Sequence, residues 1–125
     1  MRRRRPGDGD DRRAAQLSTG VTDVTAAELA DLLRREDRLV LVEFWTRRCE
    51  PCRELRPRLE ELAAGQGGVC RVVAVDADGE PAAAERHGVR AFPTLVFFKG
   101  GRELHRLKGG ALPPSTLELL RTGNV

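Results

Sequence analysis

A chain of 125 residues, 40% hydrophobic and 33% charged, holds one domain with an ordinary core and excludes a disordered or membrane-bound protein. No apolar run approaches the roughly 20 residues that a membrane-crossing helix needs, so no membrane partner is expected. The net charge of +3 does not point to nucleic acid: residues 1–13 hold six of the 22 bases and three of the 19 acids, and the remainder balances at sixteen of each.

Residues 1–18 are polar, rich in Arg, Asp and Gly, and without periodicity, which predicts a solvated, disordered arm ahead of one domain over 19–125. Pro6-Gly7-Asp8-Gly9-Asp10-Asp11 follows the arginine run where an export signal would place an apolar stretch, so a cytoplasmic location is expected. A short strand is expected around 20–24. Thr25 and Glu28 have capping-box spacing, and Leu29, Leu32 and Leu33 follow at helical intervals, predicting a helix over 26–36. Residues 39–45 form an almost continuous apolar run, as in a strand buried on both faces, with Glu43 the exception.

A helix from about Cys49 would carry Cys52, Leu55, Leu59 and Leu62 on one face, with Pro57 kinking it and Gly65, Gly67 and Gly68 ending it. Residues 69–75 read as the next strand, parallel to the previous one through a right-handed crossover. A short helix over 81–87 stops at Gly88. Strands over 94–99 and 102–107 meet at Gly100-Gly101, a hairpin signal, and Ser115 with Glu118 marks a last helix over 114–121. The order β-α-β-α-β-α-β-β-α predicts an α/β fold, a central mixed β-sheet flanked by helices on both faces.

Three cysteines cannot form a fully paired scaffold, and two of them lie in Cys49-Glu50-Pro51-Cys52. In a small cytosolic protein such a pair is redox-active or metal-binding before it is structural. The remaining soft ligands, Cys70, His87 and His105, complete no second metal-binding spacing, so no metal is expected. At a helix N-terminus, unsatisfied N–H groups and the macrodipole favour negative charge, so the Cys49 thiol is expected below its free value of about 8.5. Cys52, one turn deeper, is then the resolving sulfur for a mixed disulfide formed by Cys49. Pro51 gives up an N–H that the first turn does not need.

The run Phe44-Trp45-Thr46-Arg47-Arg48-Cys49-Glu50-Pro51-Cys52 resembles the active-site segment of the thioredoxin family. Val89-Arg90-Ala91-Phe92-Pro93-Thr94 resembles its cis-proline segment, Lys108-Gly109-Gly110-Ala111-Leu112 its glycine turn, and Pro57 its helix-kinking proline. The resemblance spans about 20–122 and implies a thioredoxin-like fold and a protein-disulfide reductase working by dithiol–disulfide exchange. It implies no cofactor, disulfide-containing protein substrates, a thioredoxin-reductase-like flavoenzyme as reductant, and a monomer. The alternative is a binding or chaperone module on the same fold with little redox turnover.

The resemblance also distributes roles. Cys49, Cys52, Glu43 and Pro93 would be catalytic, Glu43 standing where the family has a buried Asp that exchanges a proton with the second cysteine. Pro93 would be cis beside the cysteines. Trp45, Glu50, Pro51, Phe92 and Gly110 would contact substrate, Phe92 by pairing with its backbone. Several residues depart from the family. Glu50 replaces a Gly and opposes a Cys49 thiolate, while Arg47, Arg48 and Arg53 favour one. Arg48 replaces a common Trp with a positive group. Val72 is matched to a Lys that often accompanies the acid, so Glu43 is expected to lack a counter-charge. Cys70 is expected to be inert and buried, and His87 and His105 to lie on the surface.

Overall fold

In the computed structural model, Thr25 Oγ1 accepts from the Glu28 N–H at 3.1 Å and Glu28 Oε1 accepts from the Thr25 N–H at 2.9 Å. This is the reciprocal capping that their spacing predicts, and it starts helix α1, Ala26–Arg35. The structure describes residues 20–66, 70–116 and 118. The expected arm over 1–18 lies outside the described residues. The last helix is seen as helical at 114–116 and 118, and the remainder of its expected span also lies outside them.

Strand β1, Thr22–Asp23, precedes α1, and β2, Leu39–Trp45, follows it. Helix α2, Glu50–Gln66, leads to β3, Cys70–Asp76, and helix α3, Pro81–Arg86, leads to the hairpin of β4, Thr94–Lys99, and β5, Arg102–Lys108. The five strands form one mixed sheet in the order β1-β3-β2-β4-β5. β3 runs parallel to both β1 and β2, while β4 is antiparallel to β2 and β5. Gly100 and Gly101, at φ 61° and 81°, supply the two positive values that a two-residue hairpin turn of the right twist requires. Gly65, expected as a stop, lies inside α2, one residue before Gln66, while Gly67 and Gly68 lie outside the described residues.

Strand alternation sorts the sheet into two faces. Val40, Val42, Phe44, Val73, Val75, Val96 and Phe98 pack with Leu29 and Leu32 of α1 and Ala83 and Ala84 of α3. Leu39, Leu41, Val72, Leu95 and Phe97 pack on the other face with Leu55, Leu59 and Ala63 of α2. Glu43 falls in the second set by parity, so the acid points to the face covered by the helix that carries the cysteines.

His87, expected on the surface, is half-buried between the rings of Phe44 and Phe98, with centroids 5.9 and 5.3 Å away. Burial pushes its pKa down, and Arg86 and Arg106 add to the effect. The residue ends a helix whose axis lies over the sheet, and so its ring falls inward. Cys70 is buried as expected, and burial pushes its thiol up to about 12.

Candidate active site

Cys49 occupies the N-cap position of α2, four residues beyond the C-terminal end of β2, the central strand of the sheet. Its Sγ accepts a hydrogen bond from the backbone N–H of Cys52 at 3.2 Å, the contact an N-cap oxygen ordinarily makes to the third helical residue. Pro51 is the residue between them that has no N–H to satisfy. The two cysteines form a disulfide with Cα atoms 5.2 Å apart. They are unequal in access: Cys49 retains 9% of its surface and Cys52 retains 3%.

Glu43 is fully buried beneath this helix turn, at 0% exposure. The parallel register sets Glu43 beside Ala74, not Val72, which stands two residues earlier opposite Leu41. A counter-charge is nevertheless present. Arg56 Nε, from α2, donates to Glu43 Oε1 at 3.0 Å, which corrects the expectation of an unpaired acid. The signal was in the sequence: Arg56 lies four residues after Cys52 and therefore on the same helix face. Burial pushes the Glu43 carboxyl up, Arg56 works against that shift, and Asp23 and Glu60 add to it.

Trp45 completes this corner. The Arg56 guanidinium carbon stands 5.5 Å from its ring centroid, a cation–π geometry. Glu43, Trp45, Cys52, Arg53 and Arg56 share the lining of a cleft of about 360 Å³, wide enough for water. Glu43 Oε2 and Trp45 Nε1 are both buried without a hydrogen-bond partner among the described residues.

The Phe92–Pro93 peptide bond is cis and Pro93 is buried, while Phe92 is half-buried against the α1 and α3 side of the core. The Pro93 carbonyl accepts from the Gly109 N–H at 2.9 Å, which ties the proline loop to the glycine turn. A Cβ on Gly110 would meet Pro51 Cβ at 3.9 Å, so the glycine turn lies directly against the C-x-x-C segment. At the rim, Glu50 is paired with Arg53 at 3.0 Å, both exposed, which locally offsets the added acid. Arg47 is paired with Asp76 at 3.3 Å, whereas Arg48 is simply exposed.

The Thioredoxin family model matches residues 20–119. The chain belongs to the thioredoxin family. Thioredoxin 1 of Nostoc sp. is 38% identical over 97 residues, covering 74% of this chain and 90% of that protein. Thioredoxin Y of Oryza sativa, a chloroplastic protein, is 34% identical over 106 residues, covering 85% and 62%. The solved thioredoxin of Fasciola hepatica superposes with a TM-score of 0.72 at 34% identity, covering 82% of this chain and 97% of its own. The thioredoxin-family membership and the paired Cys49 and Cys52 make the chain a thiol–disulfide oxidoreductase that acts on protein disulfides. Among the described residues no helix is long and apolar enough to cross a membrane.

The buried acid has a measurable cost. Because the folded pKa of Glu43 is raised, its contribution favours folding below the unfolded carboxylate pKa and is lost as pH rises through the folded value. Glu43→Gln removes that loss. Urea denaturation should therefore find the stability of wild type falling relative to the variant as pH rises toward neutrality, with the pH-dependent difference vanishing near pH 4.

Proposed function

We propose that the chain reduces protein disulfides with Cys49 as attacking sulfur, Cys52 as resolving sulfur and Glu43 as the group that exchanges the Cys52 proton. The observation that carries the assignment is the Cys52 N–H donating to Cys49 Sγ at the start of α2. An N–H and a helix terminus directed at one sulfur favour its thiolate, and the same sulfur is the more accessible of the two.

The exchange then runs in two steps. The Cys49 thiolate attacks a substrate disulfide, one substrate sulfur leaves as thiolate, and a mixed disulfide is formed. Cys52 gives up its proton toward Glu43 and attacks Cys49 Sγ, so the Cys49–Cys52 bond forms as the bond to substrate breaks. Two electrons pass from the dithiol to the substrate. Pro93 and Phe92 flank the attacked disulfide, Phe92 offering backbone to an extended substrate segment, while Trp45, Glu50, Pro51 and Gly110 border the groove. The oxidised pair is returned to the dithiol by a thioredoxin-reductase-like flavoenzyme. This reading takes the protein as a cytoplasmic monomer with one domain over 19–125. The electrically balanced body favours no nucleic-acid partner.

Cys52→Ser tests the order of the sulfurs. Reduced variant mixed with insulin should accumulate a mixed disulfide through Cys49, visible as a higher-mass band on non-reducing electrophoresis and removed by dithiothreitol. Adduct formation with Cys49→Ser and not with Cys52→Ser would reverse the assignment.

A further inference from the structure

Arg56 lies one helical turn beyond Cys52 and reaches from α2 to the acid on β2. Its Nε donates to Glu43 Oε1 at 3.0 Å, its guanidinium stands over Trp45, and its Nη2 approaches Asp23 Oδ1 at 3.5 Å. A planar guanidinium bonded at one edge and stacked on an indole is held in one orientation, which the rotating ammonium of a lysine would not be. Arg56 also lines the cleft shared by Glu43 and Cys52. With Oε1 engaged, Glu43 keeps Oε2 without a hydrogen-bond partner among the described residues.

We propose that Arg56 is the positioning residue of the resolving step: it holds the Glu43 carboxylate by one oxygen and leaves the other to take the Cys52 proton. The inference rests on the assignment of Glu43 made above. The charged groups that act on Glu43 are Arg56 on α2, which favours its ionised form, and Asp23 on β1 and Glu60 on α2, which oppose it. Its strand neighbours, Ala74 on β3 and Leu95 on β4, carry no charge. In the step, the Cys52 thiol proton passes to the Glu43 carboxylate and the Cys52 sulfur displaces substrate from Cys49. The departing substrate thiolate takes a proton from solvent, and Glu43 later returns its own to water.

The test mixes reduced protein, in excess, with an aromatic disulfide reagent whose thiolate absorbs in the visible. Colour appears first on attack by Cys49 and again on resolution by Cys52. Rates of both phases are compared from about pH 5 to about pH 9 for wild type, Arg56→Gln, Arg56→Lys, Glu43→Gln and the Arg56→Gln/Glu43→Gln double variant. Arg56→Gln should move the rising limb of the second phase upward by about one pH unit, about a tenfold slowing on that limb, and leave the first phase in place. Arg56→Lys should recover part of the loss, and Arg56→Gln should add nothing once Glu43 is Gln. The proposal is overturned, with the role of Glu43 intact, if Glu43→Gln slows the second phase and Arg56→Gln does not. It is equally overturned if Arg56→Gln acts as strongly in the Glu43→Gln background. A Glu43→Gln second phase identical to wild type removes the assignment of Glu43 itself.

Discussion

Replacing Cys49 by serine is expected to abolish disulfide reduction, lowering the rate of insulin reduction in the presence of dithiothreitol to that of dithiothreitol alone. A serine hydroxyl at the same N-cap keeps the hydrogen bond from the Cys52 N–H, so the local backbone has no reason to change. What is lost is the nucleophile. A hydroxyl is barely ionised at neutral pH and does not form the sulfur–sulfur bond on which exchange depends, so the fall in turnover should be about a thousandfold or more. Reduced wild type is the proper folding reference, since it too lacks the Cys49–Cys52 bond. Wild-type rates in the Cys49→Ser variant would mean that the fold binds its partners without redox turnover.

The second large effect is on stability. Phe97 is fully buried on β4, in the centre of the α2 face, among Leu39, Leu41, Leu55, Leu59 and Leu95, with the His105 ring 6.0 Å from its own. Neighbours on rigid strands and on a helix closed above them cannot collapse far into the space a benzyl group leaves. Phe97→Ala should therefore cost about 3–5 kcal/mol, a large part of the roughly 5–15 kcal/mol that holds a domain of this size together. Urea denaturation should report a lower midpoint with an unchanged slope, and thermal unfolding a midpoint lower by about 10–20 °C. A loss below about 1 kcal/mol would mean that this face of the sheet is loosely packed.

Much of the fold was legible because local chemistry and tertiary packing agree. The Thr25–Glu28 cap, the apolar run of β2 and the Gly100-Gly101 turn each specify their element within a few residues of chain, and the structure places all three where they are expected. The cysteine pair, Glu43 and the Phe92-Pro93 loop were legible through spacing and resemblance. What escaped depended on contacts between elements. Which β3 residue stands beside Glu43 is a matter of strand register, which sets Ala74 there and leaves Val72, the residue matched to the family's Lys, two positions away opposite Leu41. That Glu43 has a cationic partner depends on the reach of a long side chain across the α2–β2 interface, for which helical spacing offers a candidate but no distance. His87 looked exposed because it ends a helix, yet two aromatic rings from different strands close over it.

The two borders of the sheet have a consequence for a protein that acts on the disulfides of other chains. An open border is a template on which any extended segment can lengthen the sheet, whether foreign or a second copy. One border here is β1, only two residues long, and the other is β5, where Arg102, Glu103, Arg106 and Lys108 punctuate the row and Leu104, at 39% exposure, is the lone large apolar side chain left in the open among the described residues. Both margins are thus poorly suited to lengthening the sheet, which leaves the short loop beside the sulfur pair as the proposed place for an extended partner.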